Sequence, residues 1–442
     1  MTTTSPGTRT TDSAEMAVAI ADRLLDPEPI IAATGSAATS LSRGLAGTAL
    51  LHARLSAHHP RFAAAADLHW ARAARMSISE PPRTGGVFNG VGALAASLIL
   101  GTPYLLDPGP YQASVRRSVG WLTARATAIA AWQQERRDAG HAGTPWQTYD
   151  LINGLSGIGR ILLAAVHAGH VDAEPGLLAA GSSLTAMIET PVRGRPGWWR
   201  PDPHNPAALA DPHNRDAANT GLAHGIAGPL AFLAACRLTG WGCAAQADAI
   251  RTAAQWLLQW RAGDSWPPQV TADDLAGTSA GPSTRGRRDA WCYGAPGIGA
   301  ALLAAGRALA DPDLVEVARS AIDALAARTG EWDTEGPTVC HGSAGVLLCA
   351  DATGSNRTAD IAADALTAQY DPQLPFFFQH HDHGRVSDEP GLLVGAAGIS
   401  LALVDQSGLA APKAPIGWTA ALLLPTPFQS PSDATIEGRF PR

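Results

Sequence analysis

One short unit occurs seven times in this chain: a turn carrying Gly, two residues and Gly, then a run of Ala, Leu, Ile or Val. The copies are RGLAGTALL from Arg43, FNGVGALAA from Phe88, NGLSGIGRILLAA from Asn153, HGIAGPLAFLAA from His224, YGAPGIGAALLAA from Tyr293, HGSAGVLL from His341 and VGAAGISLAL from Val394. The second copy carries Asn89 where the others have their first glycine. Counted by the second glycine (47, 92, 157, 228, 297, 345, 398), the spacings are 45, 65, 71, 69, 48 and 53 residues. Each interval has room for two helices, plus insertions. A unit of this size cannot bury its own apolar face, so neighbouring units must bury it for one another.

The runs after the turns are nearly free of charge and rich in Ala, which predicts helices buried all round and slim enough to stand close together. Between them lie amphipathic stretches, 112 to 134, 246 to 260 and 313 to 328, which predict an outer layer. The simplest arrangement is all-α, a ring of seven inner helices sheathed by seven outer ones. Sustained β alternation is absent, with the short stretch 374 to 378 as the one candidate strand. Residues 136–148, 190–220 and 262–287, rich in Pro, His, Asn, Trp and Gly, read as surface insertions, either mobile or lining a functional mouth.

A 46% hydrophobic, 16% charged chain of 442 residues has ample material for one large core, here assigned to residues 14–442 as a single domain. Net charge −7 offers no basic footprint for nucleic acid. Residues 1–13 are Thr- and Ser-rich without an apolar core, which reads as a disordered start and not a signal peptide. With no apolar run long enough to span a bilayer, a cytoplasmic protein is expected. Five cysteines are too few, and odd in number, for a disulfide scaffold. Cys236 and Cys349 fall inside Ala/Leu helical runs and read as plain buried residues.

If every unit enters its inner helix through the same turn, residues at one offset lie on one pole of the ring. Two residues before the first glycine stand Cys292 and Cys340, in adjacent units, and His341 follows the second of them. Two thiols and an imidazole suit zinc, and the lack of a fourth ligand at that offset favours an open, catalytic site over a closed structural one. The plain alternative is two small buried residues and a helix cap. His224 and Tyr293 enter at the same height, with Asp150 four residues ahead of Gly154 and Arg288 six ahead of Gly294. Such a set suits acid–base chemistry on an anionic intermediate. Taken singly, Asp150 reads equally as an N-cap, Arg288 as a rim charge and Tyr293 as packing. His380, His381 and His383 precede the seventh unit, as a solvated loop or as a substrate contact.

YDLINGLSGIG at 149–159, GLAHGIAG at 221–228, RDAWCYGAPGIG at 288–299, CHGSAG at 340–345, GLLVGAAG at 391–398 and the closing WTAALLL at 418–424 together resemble the lanthionine synthetase C-like cyclases, over about residues 40–424. A chain of this size resembles the stand-alone class I type. The resemblance implies an α/α toroid, a double barrel of seven inner and seven outer helices, with one zinc held by Cys292, Cys340 and His341. It also implies the reaction, in which a cysteine of a dehydrated precursor peptide adds to dehydroalanine or dehydrobutyrine and closes a thioether ring. In that scheme zinc activates the substrate thiol, Arg288 stabilises the enolate, His224 reprotonates its carbon, Asp150 orients His224 and Tyr293 lines the pocket. A separate dehydratase is an expected partner. Two alternatives stand beside it: another zinc thiol-alkylating enzyme on a helical barrel, resembling protein prenyltransferases, and a non-catalytic relative that binds peptide or glutathione.

Overall fold

The computed structural model describes residues 6–78, 85–141, 143–200, 217–242, 244–278, 288–332, 335–382 and 384–425. In chain order the helices are α1 (Pro6–Arg23), α2 (Pro27–Thr34), α3 (Leu45–Leu55), α4 (Pro60–Ser77), α5 (Gly90–Gly101), α6 (Gln112–Asp138), α7 (Trp146–Tyr149), α8 (Leu155–His167), α9 (Glu174–Glu189), α10 (Ala227–Leu238), α11 (Ala244–Gln259), α12 (Ala272–Leu275), α13 (Ala295–Leu309), α14 (Pro312–Asp323), α15 (Ser343–Thr353), α16 (Asn356–Ala368) and α17 (Ala396–Gln406). Four three-residue strands pair antiparallel as β1 (Ala217–Asn219) with β2 (Gln269–Thr271) and β3 (His380–Asp382) with β4 (Arg385–Ser387).

The seven apolar runs form α3, α5, α8, α10, α13, α15 and α17, each touching the next, and α17 touches α3, so the ring closes. Burial is complete along them: every residue of α13 from Ala295 to Gly306 is inside. One contact recurs in all seven units and explains the motif. A Cβ on the second glycine would come closer than 3.0 Å to the carbonyl oxygen six residues earlier, Leu41, Gly86, Leu151, Leu222, Trp291, Val339 or Leu392. Glycine there lets the entering turn fold flat against the first turn of the helix. Asn89 is tolerated at the first position because the backbone there is extended.

Those turns are stitched to one another around the pole. Backbone N–H groups donate from Leu41 to Phe88, Val87 to Ile152, Leu151 to Ala223, Ala223 to Cys292, Cys340 to Leu393 and Leu392 to Leu41. Residues at equal offsets are thereby held at equal height, as the motif spacing predicts.

The outer layer is α4, α6, α9, α11, α14, α16 and, from the other end of the chain, α1. Helix α14 is capped by Asp311, whose side chain accepts from the Leu314 N–H, and buries Leu314, Ala318, Ala321 and Ile322, one stripe at helical spacing. Helix α1 covers α17, burying Ala17, Ile20, Ala21 and Leu24. Of the stretch 1–13 read as a disordered start, residues 1–5 lie outside the described residues and α1 begins at Pro6. Among the described residues no α-helix follows α17 to sheathe it, and α1 takes that place. Burying Ile20 and Leu24 stabilises the closure by on the order of 3–6 kcal/mol.

Residues 418–422 form a 3₁₀ turn in the bore of the ring. The Trp418 N–H donates to the Tyr104 hydroxyl at 3.0 Å, its indole N–H donates to Asp405 at 2.7 Å, and the Trp291 indole donates to the Leu422 carbonyl at 3.0 Å. The candidate strand 374–378 is a turn, with Phe377 at φ 68° and Phe376, Phe377 and Phe378 buried by hydrophobic packing. The insertions pack more closely than surface loops would. Trp198, Trp199 and Trp266 are buried, and β1 and β2 join the second insertion to the third. Residues 142, 201–216 and 279–287 of these insertions, with Cys243 and His383, lie outside the described residues. Among the described residues no helix is long and apolar enough to cross a membrane.

Candidate metal and catalytic site

Cys292 sits in a tight hairpin, Arg288 to Gly294, closed by the Ala290 N–H donating to the Tyr293 carbonyl at 3.0 Å. Gly294 has φ 92°, and a Cβ there would collide with the Arg288 carbonyl, so this turn requires glycine. Arg328 anchors the hairpin from outside through an ion pair with the buried Asp289 at 2.7 Å. Cys340 is held from the next turn, its N–H donating to Leu393 at 2.8 Å.

The two hairpins bring Cys292, Cys340 and His341 together, with one ligand atom from each lying within 4.8 Å of the others. Cys340 Sγ is 4.0 Å from His341 Nε2. A hydrogen bond from Cys292 and the nearby His341 hold the Cys340 thiol well below the usual cysteine range, against the effect of burial. Burial lowers His341, but the hydrogen bond to Cys340 and the charges of Cys340 and Glu335 outweigh it and lift the imidazole to about 9. Soft sulfur donors, that of Cys340 already inclined to give up its proton, and an imidazole edge are the donor set that zinc prefers. The three residues fit the metal that the sequence led us to expect.

Glu335 went unforeseen. Its Oε2 lies 2.7 Å from His341 Nδ1, out of line with the ring N–H, as an ion-pair contact more than a directed hydrogen bond. Its backbone N–H donates to the His341 carbonyl at 2.7 Å, and its own carbonyl accepts from His380 Nδ1 and the His381 N–H, each at 2.9 Å. His380 thus buttresses the loop that carries His341.

On the neighbouring turns, His224 Nδ1 donates to Asp150 Oδ2 at 2.7 Å. Asp150 is fully buried, and its Oδ1 accepts from the N–H groups of Asn153 and Gly154, both at 2.8 Å. One oxygen thus holds the turn that leads into α8, whose N-cap is Gly154, and the other grips His224. Burial pushes its carboxyl up, opposed by the His224 bond and the two backbone donors. With Nδ1 occupied, Nε2 is the free edge of a side chain 30% exposed. The charge of His224 reaches Cys340, which places the imidazole beside the Cys–His cluster.

Tyr293 stands above Cys292 with its ring against Gly221, and burial pushes its hydroxyl far up. Arg288 acts electrostatically on both Tyr293 and His341. All seven residues marked in the sequence therefore converge on one pole. The sequence missed two more neighbours. The Trp146 indole meets the His224 ring edge-on at 4.4 Å, and Arg200, bonded to Gln269 at 3.2 Å, acts on Tyr293. Both lie in stretches read as insertions, where no repeat offset applies. Glu335 was within reach of offset reasoning, seven residues ahead of Gly342 much as Arg288 is six ahead of Gly294.

The sequence profile of the lanthionine synthetase C-like proteins matches residues 35–422. The nisin biosynthesis protein NisC of Lactococcus lactis subsp. lactis is 27% identical over 207 residues, 45% of this chain and 47% of that protein, so the chain spans about half the length of this relative in the match. The solved structure of a nisin cyclase superposes with a TM-score of 0.68 at 18% identity, covering 93% of this chain and 96% of that one. That likeness bears on the fold, an all-α toroid in both.

Proposed function

The chain belongs to the lanthionine synthetase C-like family, and from that membership and the geometry of its pole we propose that it is a zinc-dependent lanthipeptide cyclase. The reaction joins the thiol of a peptide cysteine to the β-carbon of dehydroalanine or dehydrobutyrine in the same dehydrated precursor peptide. The observation that carries this reading is the pairing of His224 with the buried Asp150 at 2.7 Å, on a turn from which His224 acts electrostatically on the Cys, Cys, His ligand set.

Cys292, Cys340 and His341 would hold the zinc, with Glu335 steadying His341. Bound there, zinc supplies Lewis acidity that lowers the pKa of a thiol. The remaining work falls to the protein. As the C–S bond forms, the π electrons of the alkene move onto the neighbouring carbonyl, and Arg288 offers positive charge to that enolate. His224, its Nδ1 engaged by Asp150, delivers a proton from Nε2 to the α-carbon. The balance closes, because the thiol loses the proton that the α-carbon gains. Trp146 and Tyr293 wall the pocket and exclude water.

The test has two arms. Purified protein is assayed for zinc beside Cys340→Ala, and a dehydrated peptide is followed by mass spectrometry after thiol trapping, with His224→Asn as the catalytic variant. About one zinc per chain, lost in Cys340→Ala, and ring closure lost in His224→Asn with zinc retained are the expected results. Zinc binding without consumption of free thiol in the native protein would instead indicate a peptide-binding relative.

A further inference from the structure

Away from that pole, the bore contains a buried cation that the reaction does not use. Arg160 projects from α8 and is 2% exposed. Its Nε and one terminal nitrogen are sealed from solvent with no hydrogen-bond partner. Among the described residues two groups interact with it electrostatically: Cys236 on α10, whose thiol burial pushes up to about 12 and so keeps neutral, and His167 on α8, which burial and the charge of Arg160 push down. Burial lowers Arg160 itself to about 10, which leaves it charged at neutral pH. A buried charge without a partner is strongly unfavourable, and a guanidinium cannot escape by losing its proton.

Beside it lies a cavity of ≈ 20 Å³, lined by Arg160 with Ala231, Ala235, Leu238, Thr239 and the end of the bore turn at Leu423 to Pro425. Among the described residues the remaining walls are apolar except for Thr239, and none carries a carboxylate. That volume suits one water-sized occupant and is too small for sulfate or phosphate. The cavity runs along the second half of α10, where the carbonyl ends of the inner helices point. Their dipoles disfavour an anion there, but by less than the cost of leaving Arg160 unpaired.

We propose that Arg160 and this cavity form a binding site for a single monatomic anion of halide size, which neutralises the guanidinium and ties α8, α10 and the bore turn together. The site is separate from the Cys–His pole, so it stands or falls independently of the proposed cyclisation.

The test uses the full chain. Melting temperatures are measured in bromide against gluconate at constant ionic strength for the native protein and for Arg160→Met, which keeps the bulk and removes the charge. Crystals of the native protein grown in bromide are measured at the bromine absorption edge. A saturable, halide-specific rise of roughly 2 °C in the native protein alone, with a bromine peak against the Arg160 guanidinium, is expected. In halide-free buffer Arg160→Met should melt no lower than the native protein. A cavity holding only water in the bromide crystals overturns the proposal, as does an equal halide response in both proteins. If Arg160→Met does not fold, the diffraction result decides.

Discussion

Replacing Asp150 separates its two duties, because each carboxylate oxygen has a different task. In Asp150→Asn one oxygen remains to accept from the Asn153 and Gly154 N–H groups, while the amide now presents a donor to His224 Nδ1. The imidazole must then accept at Nδ1 and lose the bond that favours its protonated form. A hydrogen bond to a charged partner is worth roughly 1.5–3 kcal/mol, so ring closure should slow by about 10- to 150-fold with little change in melting temperature. Asp150→Ala removes both duties. The N–H groups of half-buried Asn153 and buried Gly154 lose their acceptor, at about 1–3 kcal/mol each, so this variant should also lose about 2–6 kcal/mol of stability. The assay is single-turnover cyclisation of a dehydrated peptide, alongside urea denaturation of the same preparations. If Asp150→Asn closes rings at the native rate, His224 does not depend on its carboxylate partner and the acid–base assignment fails.

Other consequences can be checked with simple variants. Glu335→Gln should weaken zinc affinity by roughly 10- to 100-fold in chelator competition, with the fold intact by circular dichroism; unchanged affinity would show that His341 needs no steadying. Gly398→Ala drives a Cβ into the Leu392 carbonyl and to 2.8 Å from Val339 Cγ2, and should cost about 2–4 kcal/mol. Gly120→Ala, in α6 with nothing within 4 Å of the new Cβ, should instead stabilise by about 0.5–1 kcal/mol. His52 and His69 hold the end of α1 by donating to the Leu24 and Leu25 carbonyls at 3.0 and 3.1 Å. Burial, then the charge of His69, pushes His52 down to about 3, and burial pushes His69 down to about 4. Below the unfolded value of about 6.5 the unfolded chain takes up protons that the fold refuses, so stability falls as pH drops from 6.5 toward 4, on the order of 1.4 kcal/mol per unit for each histidine. Urea denaturation should show that slope flattened in the double variant His52→Gln, His69→Gln; equal slopes would refute the assignment.

The repeat carried most of the architecture into view before any coordinates. Its second glycine meets the same carbonyl in every unit, so the motif encodes a local contact, and local contacts are legible from spacing. Equal offsets became equal heights, which is why Cys292, Cys340, His341, His224 and Tyr293 were found together from turns far apart in the chain. Helix α1 was missed because its partner, α17, lies at the opposite end of the chain, and a Thr/Ser-rich beginning gives no sign of what will cover it. The packing of the insertions was out of sight for a related reason. Their tryptophans are buried against distant segments, as where Trp198 meets Trp256 edge-on at 5.1 Å, and periodicity says nothing about such pairings.

Periodicity, glycine placement and residue chemistry were enough to call for a ring of helices with a sulfur and imidazole cluster at one pole, since each follows from contacts within a single unit or from its repetition. Where the third dimension was needed was in partnership. Which carboxylate faces His341, and that Arg160 has none among the described residues, depend on side chains brought together from different units. Electrostatic energy depends on distance through space, and the order of residues along the chain does not supply that distance.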